Sequence, residues 1–331
     1  MTKISVIGGG SWGTALADLF SRKGYRTALW IHGRELSRQI SRLRENRAYL
    51  PGVKLLPNLQ ATNLLEEALH ETELVVMAVP SHVIRPVLRS MKKHLPHRVP
   101  LLSASKGIEQ SRFLRVSQII GEELGGTDRL AVLSGPNFAR EVARELPAAA
   151  VIAACSKELA VFLQNRLSTP RFRIYTSDDV IGVELGGALK NVIAIAAGVC
   201  DGLGFGFNAR AALITRGLAE MTRLGAALGA DRLTFMGLAG MGDLLLTCTG
   251  DLSRNRRVGL GLSRGKRLEE ILEEMKMVAE GVKTSEAAVL LGKQTGVELP
   301  IMEGVWAMLY RNQPPRELID ELLNRDLRPE N

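Results

Sequence analysis

The stretch "KISVIGGGSWGTALADLFSRKG", from Lys3 to Gly24, constrains the fold more than any other. A short strand of buried type, Lys3 to Gly8, runs into glycines at G-x-G-x-x-G spacing, Gly8, Gly10 and Gly13. A segment with helical spacing in Leu16, Leu19 and Phe20 follows, and Gly24 is placed to end it. In that context the first glycine permits a tight turn, the second lets the backbone approach a pyrophosphate, and the third lets helix pack on strand. Free N–H groups and the positive end of the helix dipole then hold phosphates. The motif therefore predicts a βαβ unit that binds a dinucleotide, and the sequence contains no P-loop.

Further apolar runs of strand length follow: "YRTALWI", "ELVVMAVP", "VPLLSAS", "LAVLSGP" and "PAAAVIAA". Helical segments separate them, notably Arg115 to Leu124 and Lys157 to Leu167. Such alternation implies a parallel sheet covered on both faces, with ligands at the carboxyl ends of the strands. From about Val180 the strand signals stop and helical patterns take over, through "NARAALITRGLAEMTRLGAAL", "RLEEILEEM", "TSEAAVLLGKQTG" and "PRELIDELLNRDL". The expected fold is α/β: a Rossmann-type doubly wound domain over residues 1–178, then a mostly helical domain over 179–331, with the boundary near Ser177 to Asp179.

At 331 residues, 46% hydrophobic and 24% charged, the chain is long enough for two ordinary soluble domains. Lys plus Arg number 43 against 35 acids, a net charge of +8 that suits nucleic acid, an anionic membrane or phosphorylated small molecules. Only 5% of residues are aromatic and no cluster interleaves them with basic residues, so no nucleic-acid partner is expected. Cys155, Cys200 and Cys248 are widely spaced, without C-x-x-C, which points to reduced cytosolic thiols. The first residues leave no room for a signal peptide, and the apolar runs are broken short of a membrane span, so no stable membrane insertion is expected.

Two local features bear on chemistry. The second strand ends in "LWIHGREL", placing His32 and Arg34 before the first acid, Glu35. An acid there would select the ribose 2′-hydroxyl of NAD, whereas a cation favours the 2′-phosphate of NADP, so NADP is favoured over NAD. The second is "VELGGALKNVIAIAAGVC", which reads as a helix buried on most sides yet carries Lys190 in its middle. Burial and neighbouring cations lower the pKa of such an ammonium, and Gly186, Gly187, Ala188, Ala194, Ala196 and Ala197 imply close packing around it.

The strings "GGGSWGTALA", "NRAYLPG", "VPSH", "SKGIE", "LSGPNFAREV", "GVELGGALKNVIAIAAGVCDGLGFGFNARAALITRGLAEM", "GLAGMGDLLLTCTGDLSRNRRVG" and "VAEGVKT" occur in that order. Together they resemble the bacterial NAD(P)-dependent glycerol-3-phosphate dehydrogenases, from Ile4 to about Tyr310. The resemblance implies interconversion of sn-glycerol 3-phosphate and dihydroxyacetone phosphate by hydride transfer, supply of glycerol phosphate for phospholipid synthesis, a cytoplasmic location and a homodimer. Its partner would be a small phosphorylated three-carbon substrate.

Residue by residue, the resemblance makes Lys190 the catalytic proton donor and acceptor. It places Lys106 beside substrate and nicotinamide, and Asp243 and Thr247, four apart on one helical face, at the lysine and the substrate hydroxyl. Gly135 and Asn137 fall at the substrate, although many relatives carry Ser or Thr in place of Asn137. Ser253, Arg254 and Asn255 match the phosphate grip, where a guanidinium offers paired donors; Arg256 and Arg257 stay unassigned. Gly8, Gly10, Ser11, Trp12, Gly13, His32, Arg34, Lys106, Ala139, Arg254, Val278 and Glu280 face the cofactor. Glu280 reads equally as an ordinary surface acid. No metal is implied. A β-hydroxyacid or ketopantoate-type reductase is the alternative enzyme, and the "GDLLLTCTGDLSRNRR" segment argues against it because a carboxylate substrate needs no phosphate pocket there. A non-catalytic NADP sensor is disfavoured by the joint presence of Lys106, Lys190, Asp243 and Arg254.

Overall fold

Buried strands form in the first half where short apolar runs meet turns, and they assemble into a single sheet. The structure, a computed structural model, describes residues 2–275, 278–324 and 326. The strands are β1 (Lys3–Ile7), β2 (Arg26–Trp30), β3 (Leu59–Thr62), β4 (Leu74–Met77), β5 (Leu101–Ser103), β6 (Leu130–Ser134), β7 (Ala148–Ala154) and β8 (Phe172–Ser177), in spatial order 3-2-1-4-5-6-7-8. Ile4 pairs with Thr27 on one side and Leu74 on the other. Period-two alternation sends Ile4 and Val6 into one core with Leu16 and Phe20, and Ile7 into a second with Met77 and Ile84, so helices cover both faces. The covering helices are α1 (Ser11–Arg22), α2 (Arg34–Leu43), α3 (Leu65–Leu69), α4 (Ile84–Met91), α5 (Val116–Leu124), α6 (Ala139–Ala143) and α7 (Lys157–Leu167). Strand order reverses between β1 and β4, which opens a crevice at their carboxyl ends.

Three expectations are corrected. The sheet is mixed, because β7 runs antiparallel to β6. The connection between them holds only the five-residue α6, Ala139–Ala143, in place of a full crossover helix. Strands β3 and β8 have no counterpart among the apolar runs: β3 is a short edge strand, and β8, at the opposite edge, alternates buried Phe172 and Ile174 with exposed Arg173 and Tyr175. The apolar stretch after Asp179 is not broken short. It forms the long α8 (Val180–Gly202), long and apolar enough to cross a membrane by length and composition alone, yet 89% of its apolar window is buried inside the protein. It continues through Glu184, Lys190 and Asn191 because each finds a polar partner in the interior.

The second half wraps this helix with α9 (Gly206–Ala227), α10 (Asp243–Thr249), α11 (Arg254–Ser263), α12 (Leu268–Glu274), α13 (Glu280–Thr295), α14 (Pro300–Tyr310) and α15 (Pro315–Leu323). The last residues of the final helical pattern in the sequence, 325 and 327, lie outside the described residues. The Asp179 carboxylate accepts from the Gly182 N–H at 2.8 Å and caps α8. Gly198 and Gly259 let α8 and α11 cross at backbone contact, since a methyl group at either would meet the other helix's main chain. A π turn, Leu238–Gly242, leads directly into Asp243, the first residue of α10.

Candidate active site

A cleft of about 880 Å³ lies between the carboxyl ends of the strands and the helical half. Its wall includes Gly8, Gly10, Ser11, Trp12, His32, Lys106, Asn137, Ala139, Lys190, Thr247, Ser253, Arg254, Asn255, Val278 and Glu280. Four other candidates stand just behind or beside it. Gly13 packs α1 on β1, where a methyl group would strike the Gly8 carbonyl. Gly135 holds Lys106 from behind, Asp243 lies beneath both lysines, and Arg34 is exposed at the start of α2, beyond His32.

The glycine loop is shaped to receive an anion. Gly8 has φ +128°, and a side chain there would meet the Ala78 carbonyl at the end of β4. Gly10 is the N-cap of α1 and faces open space; no side chain caps this helix and its first turn carries no acid, so its positive end is left for a ligand. Trp12 Nε1 is buried and, among the described residues, has no acceptor, a donor that a bound dinucleotide would satisfy. The Ser11 hydroxyl donates to the Tyr49 carbonyl at 2.6 Å.

One carboxylate organises the chemistry. Asp243 Oδ2 accepts from Lys106 Nζ at 2.6 Å, while Oδ1 accepts from Lys190 Nζ. Lys190 also donates to Thr247 Oγ1 at 2.9 Å, and Lys106 to the Gly135 carbonyl at 3.0 Å. Gly242, not Asp243, is the N-cap of α10, so the aspartate is free to hold the lysines. Burial pulls the Lys190 pKa down from 10.5 to about 7; Asp243 opposes that fall and the charge of Lys106 adds to it. Gly187 gives Lys106 room, its missing side chain facing Ser134 Oγ at 2.6 Å and the Lys106 stem at 3.5 Å.

The far end of the cleft is built on α11. Ser253 is its N-cap, accepting from the Arg256 N–H at 3.2 Å, and no acid occupies the first turn. Arg254 donates to the Val278 carbonyl at 2.9 Å and is half-buried, with burial lowering its pKa and Glu280 opposing that. Of the two unassigned arginines, Arg257 lines the cleft, whereas Arg256 is held by Asp201 and Asp251. Asn255 bridges elements: its amide donates to Asn191 Oδ1 at 2.8 Å, and its oxygen accepts from the Gly281 N–H at 3.0 Å. Asn137 donates to the Pro136 and Ala149 carbonyls, which leaves its buried Oδ1 without a partner among the described residues.

Sequence reasoning missed Asn191 and Arg140 on the cleft wall, and left Arg257 there without a role. Asn191 was detectable by the argument that singles out Lys190, as a second polar residue in the same apolar helix.

Two family models cover the chain: the NAD-dependent glycerol-3-phosphate dehydrogenase N-terminus matches residues 3–160 and the corresponding C-terminus residues 179–320. This chain belongs to the NAD-dependent glycerol-3-phosphate dehydrogenase family. It is 54% identical over 330 residues to a glycerol-3-phosphate dehydrogenase (NAD(P)+) of Geobacter sp. strain M21, covering 99% of this chain and 98% of that one. A relative of the same name from Citrifermentans bemidjiense is 55% identical over the same shares. The crystal structure of glycerol-3-phosphate dehydrogenase from Coxiella burnetii is similar with a TM-score of 0.94 at 38% identity, over 98% of this chain and 99% of that one. A ketopantoate reductase from Ralstonia eutropha JMP134 aligns with a TM-score of 0.61 at 16% identity over 98% of this chain and 100% of that one, a likeness of fold alone. That likeness explains why a ketopantoate-type reductase competes on architecture. The family match over both halves decides for the glycerol-3-phosphate dehydrogenases.

Proposed function

We propose that this family member interconverts sn-glycerol 3-phosphate and dihydroxyacetone phosphate with NAD(P), and that Lys190 moves the proton. The observation that carries the reading is the Lys106–Asp243–Lys190 cluster, set in a cleft that two acid-free helix N-termini adjoin. The N-terminus of α1 suits the dinucleotide pyrophosphate, that of α11 with Arg257 suits the substrate phosphate, and Arg254 serves both ligands. When bound, the nicotinamide supplies the hydride for reduction and accepts it for oxidation.

Reduction then needs three things of the protein. Arg254 and the first turn of α11 hold the phosphate. Lys106 stands at the end of β5 as a fixed cation beside the substrate oxygen. As the carbonyl carbon gains a hydride, the C=O electron pair moves to oxygen, and that oxygen takes a proton from Lys190 Nζ. Asp243 keeps both ammoniums from turning away, and Thr247 fixes the remaining direction of Lys190. In oxidation the neutral amine takes the hydroxyl proton, which a pKa of about 7 makes possible near neutral pH.

The reading includes NADP as the preferred cofactor, because His32 and Arg34 precede any acid after β2. It also includes a catalytic role for residues 179–331 and dinucleotide binding by 1–178, a cytoplasmic homodimer, and supply of glycerol 3-phosphate for phospholipid synthesis. Initial rates with dihydroxyacetone phosphate test it: purified protein oxidises NADPH faster than NADH at equal concentration. Lack of turnover with both cofactors, in protein shown to be folded, contradicts it.

A further inference from the structure

Among the described residues, Glu280 is the one acid on a cleft wall that also carries His32, Lys106, Arg140, Lys190, Arg254 and Arg257. Left free, a carboxylate there would pair with Arg254 and weaken the grip on phosphate. Yet among the described residues Glu280 makes no ion pair within 4.0 Å. Its partner is Ser81, 199 positions away, the first residue of the short 3-10 turn Ser81–Val83 after β4. The Ser81 hydroxyl donates to Glu280 Oε2 at 2.7 Å and its N–H to Oε1 at 3.3 Å. Gly107, next to Lys106, is the seat for this pair: a methyl group there would come within 2.7 Å of Ser81 Oγ and 2.8 Å of Glu280 Oε2, and φ is +153°. Three chain segments that follow β4, follow β5 and open α13 thus converge on one contact at Glu280 of the cleft wall.

We propose that Ser81 is a positioning residue that holds the Glu280 carboxylate away from Arg254, keeping that arginine available to phosphorylated ligands. The inference rests on the reading of the cleft as the NAD(P) and substrate-phosphate site. The charged groups around the carboxylate fit it: Arg254 of α11 and Lys283 of α13 act on Glu280, and His82, beside Ser81, also lies in the field of Lys283. Burial pushes the Glu280 carboxyl up, and the donors of Ser81 oppose that more than either cation does.

The test is a double-mutant cycle read by NADPH binding, through quenching of the tryptophans Trp12 and Trp30 on the cleft wall. Ser81→Ala raises the Kd for NADPH about fivefold, as expected for competition by a half-buried ion pair. Ser81→Thr, which keeps the hydroxyl, restores the wild-type Kd. In a Glu280→Gln background, Ser81→Ala changes the Kd less than twofold, because no carboxylate is left to release. A merely structural serine would give the same loss in both backgrounds, and that result, or an unchanged Kd in Ser81→Ala alone, overturns the proposal. Turnover of dihydroxyacetone phosphate by wild-type protein is followed alongside: a Ser81-dependent Kd without turnover leaves the positioning role standing and sinks the functional reading instead.

Discussion

A buried ammonium is tolerated at position 190 because two groups meet it there: the Asp243 carboxylate and the Thr247 hydroxyl. Each carboxylate oxygen of Asp243 serves one lysine, so the cluster carries one net positive charge when Lys190 is protonated and none when it is neutral. Burial and Lys106 favour the neutral form, which brings the Lys190 pKa to about 7. The direction of the pH dependence follows. Reduction needs the protonated amine, so kcat/KM for dihydroxyacetone phosphate is flat below pH 7 and falls about tenfold per unit well above it. Oxidation needs the free amine, so kcat/KM for glycerol 3-phosphate rises through pH 7 and levels off beyond. Profiles in both directions check this, and a reduction limb that stays flat to pH 9 contradicts the tuning. Lys190 was legible in the sequence because a lone charge in an apolar helix is costly and calls for a reason. The buried Oδ1 of Asn137 and the capping role of Ser253 were not, since both depend on which backbone groups lie nearby in space.

At the scale of elements, polar residues inside apolar helices mark the joints. Glu184 of α8 accepts from the Ser117 N–H at 2.7 Å and from Arg115 at 2.6 Å, tying the helix that bears Lys190 to α5 on the other side of the chain's midpoint. Glu220 of α9 accepts from the N–H groups of Ile301 at 2.7 Å and Met302 at 3.1 Å, capping α14 from a distance. Glu220→Ala leaves two buried donors unmet and lowers unfolding free energy by about 3 kcal/mol in denaturant titration, while turnover per folded molecule is retained. Burial also lifts the Glu220 carboxyl from 4.5 to about 7. The folded state therefore holds this proton more tightly than the unfolded chain, so the group's contribution is greatest below pH 4.5 and is lost as pH rises through 7. The variant's stability lacks that slope between those limits. The central strands were readable as apolar runs of strand length, and α5 and α7 as the helical segments between them, whereas edge strands β3 and β8 were not: each is short and only partly apolar, although the alternation of Phe172, Arg173, Ile174 and Tyr175 in β8 is a strand signal the sequence did carry.

For the molecule as a whole, the order of parts was legible and the meeting of parts was not. A strand, a glycine loop and a helix at the start fix one wall of the cleft, and the end of the alternation near Ser177 signals the change to helices. The turn of β7 against β6 escaped notice because an apolar run has no direction written in it. Nor does any local pattern announce that Asp243, Lys106 and Lys190 converge, since they lie on three elements far apart in the chain. Whether that convergence moves the proton is settled by NADPH oxidation by dihydroxyacetone phosphate with wild-type protein and with Lys190→Ala, alongside the NADPH Kd of each. The variant loses about a thousandfold in kcat while its Kd moves less than about threefold, as fits a group that transfers a proton without holding the cofactor. A variant that keeps a tenth or more of wild-type turnover would contradict that role.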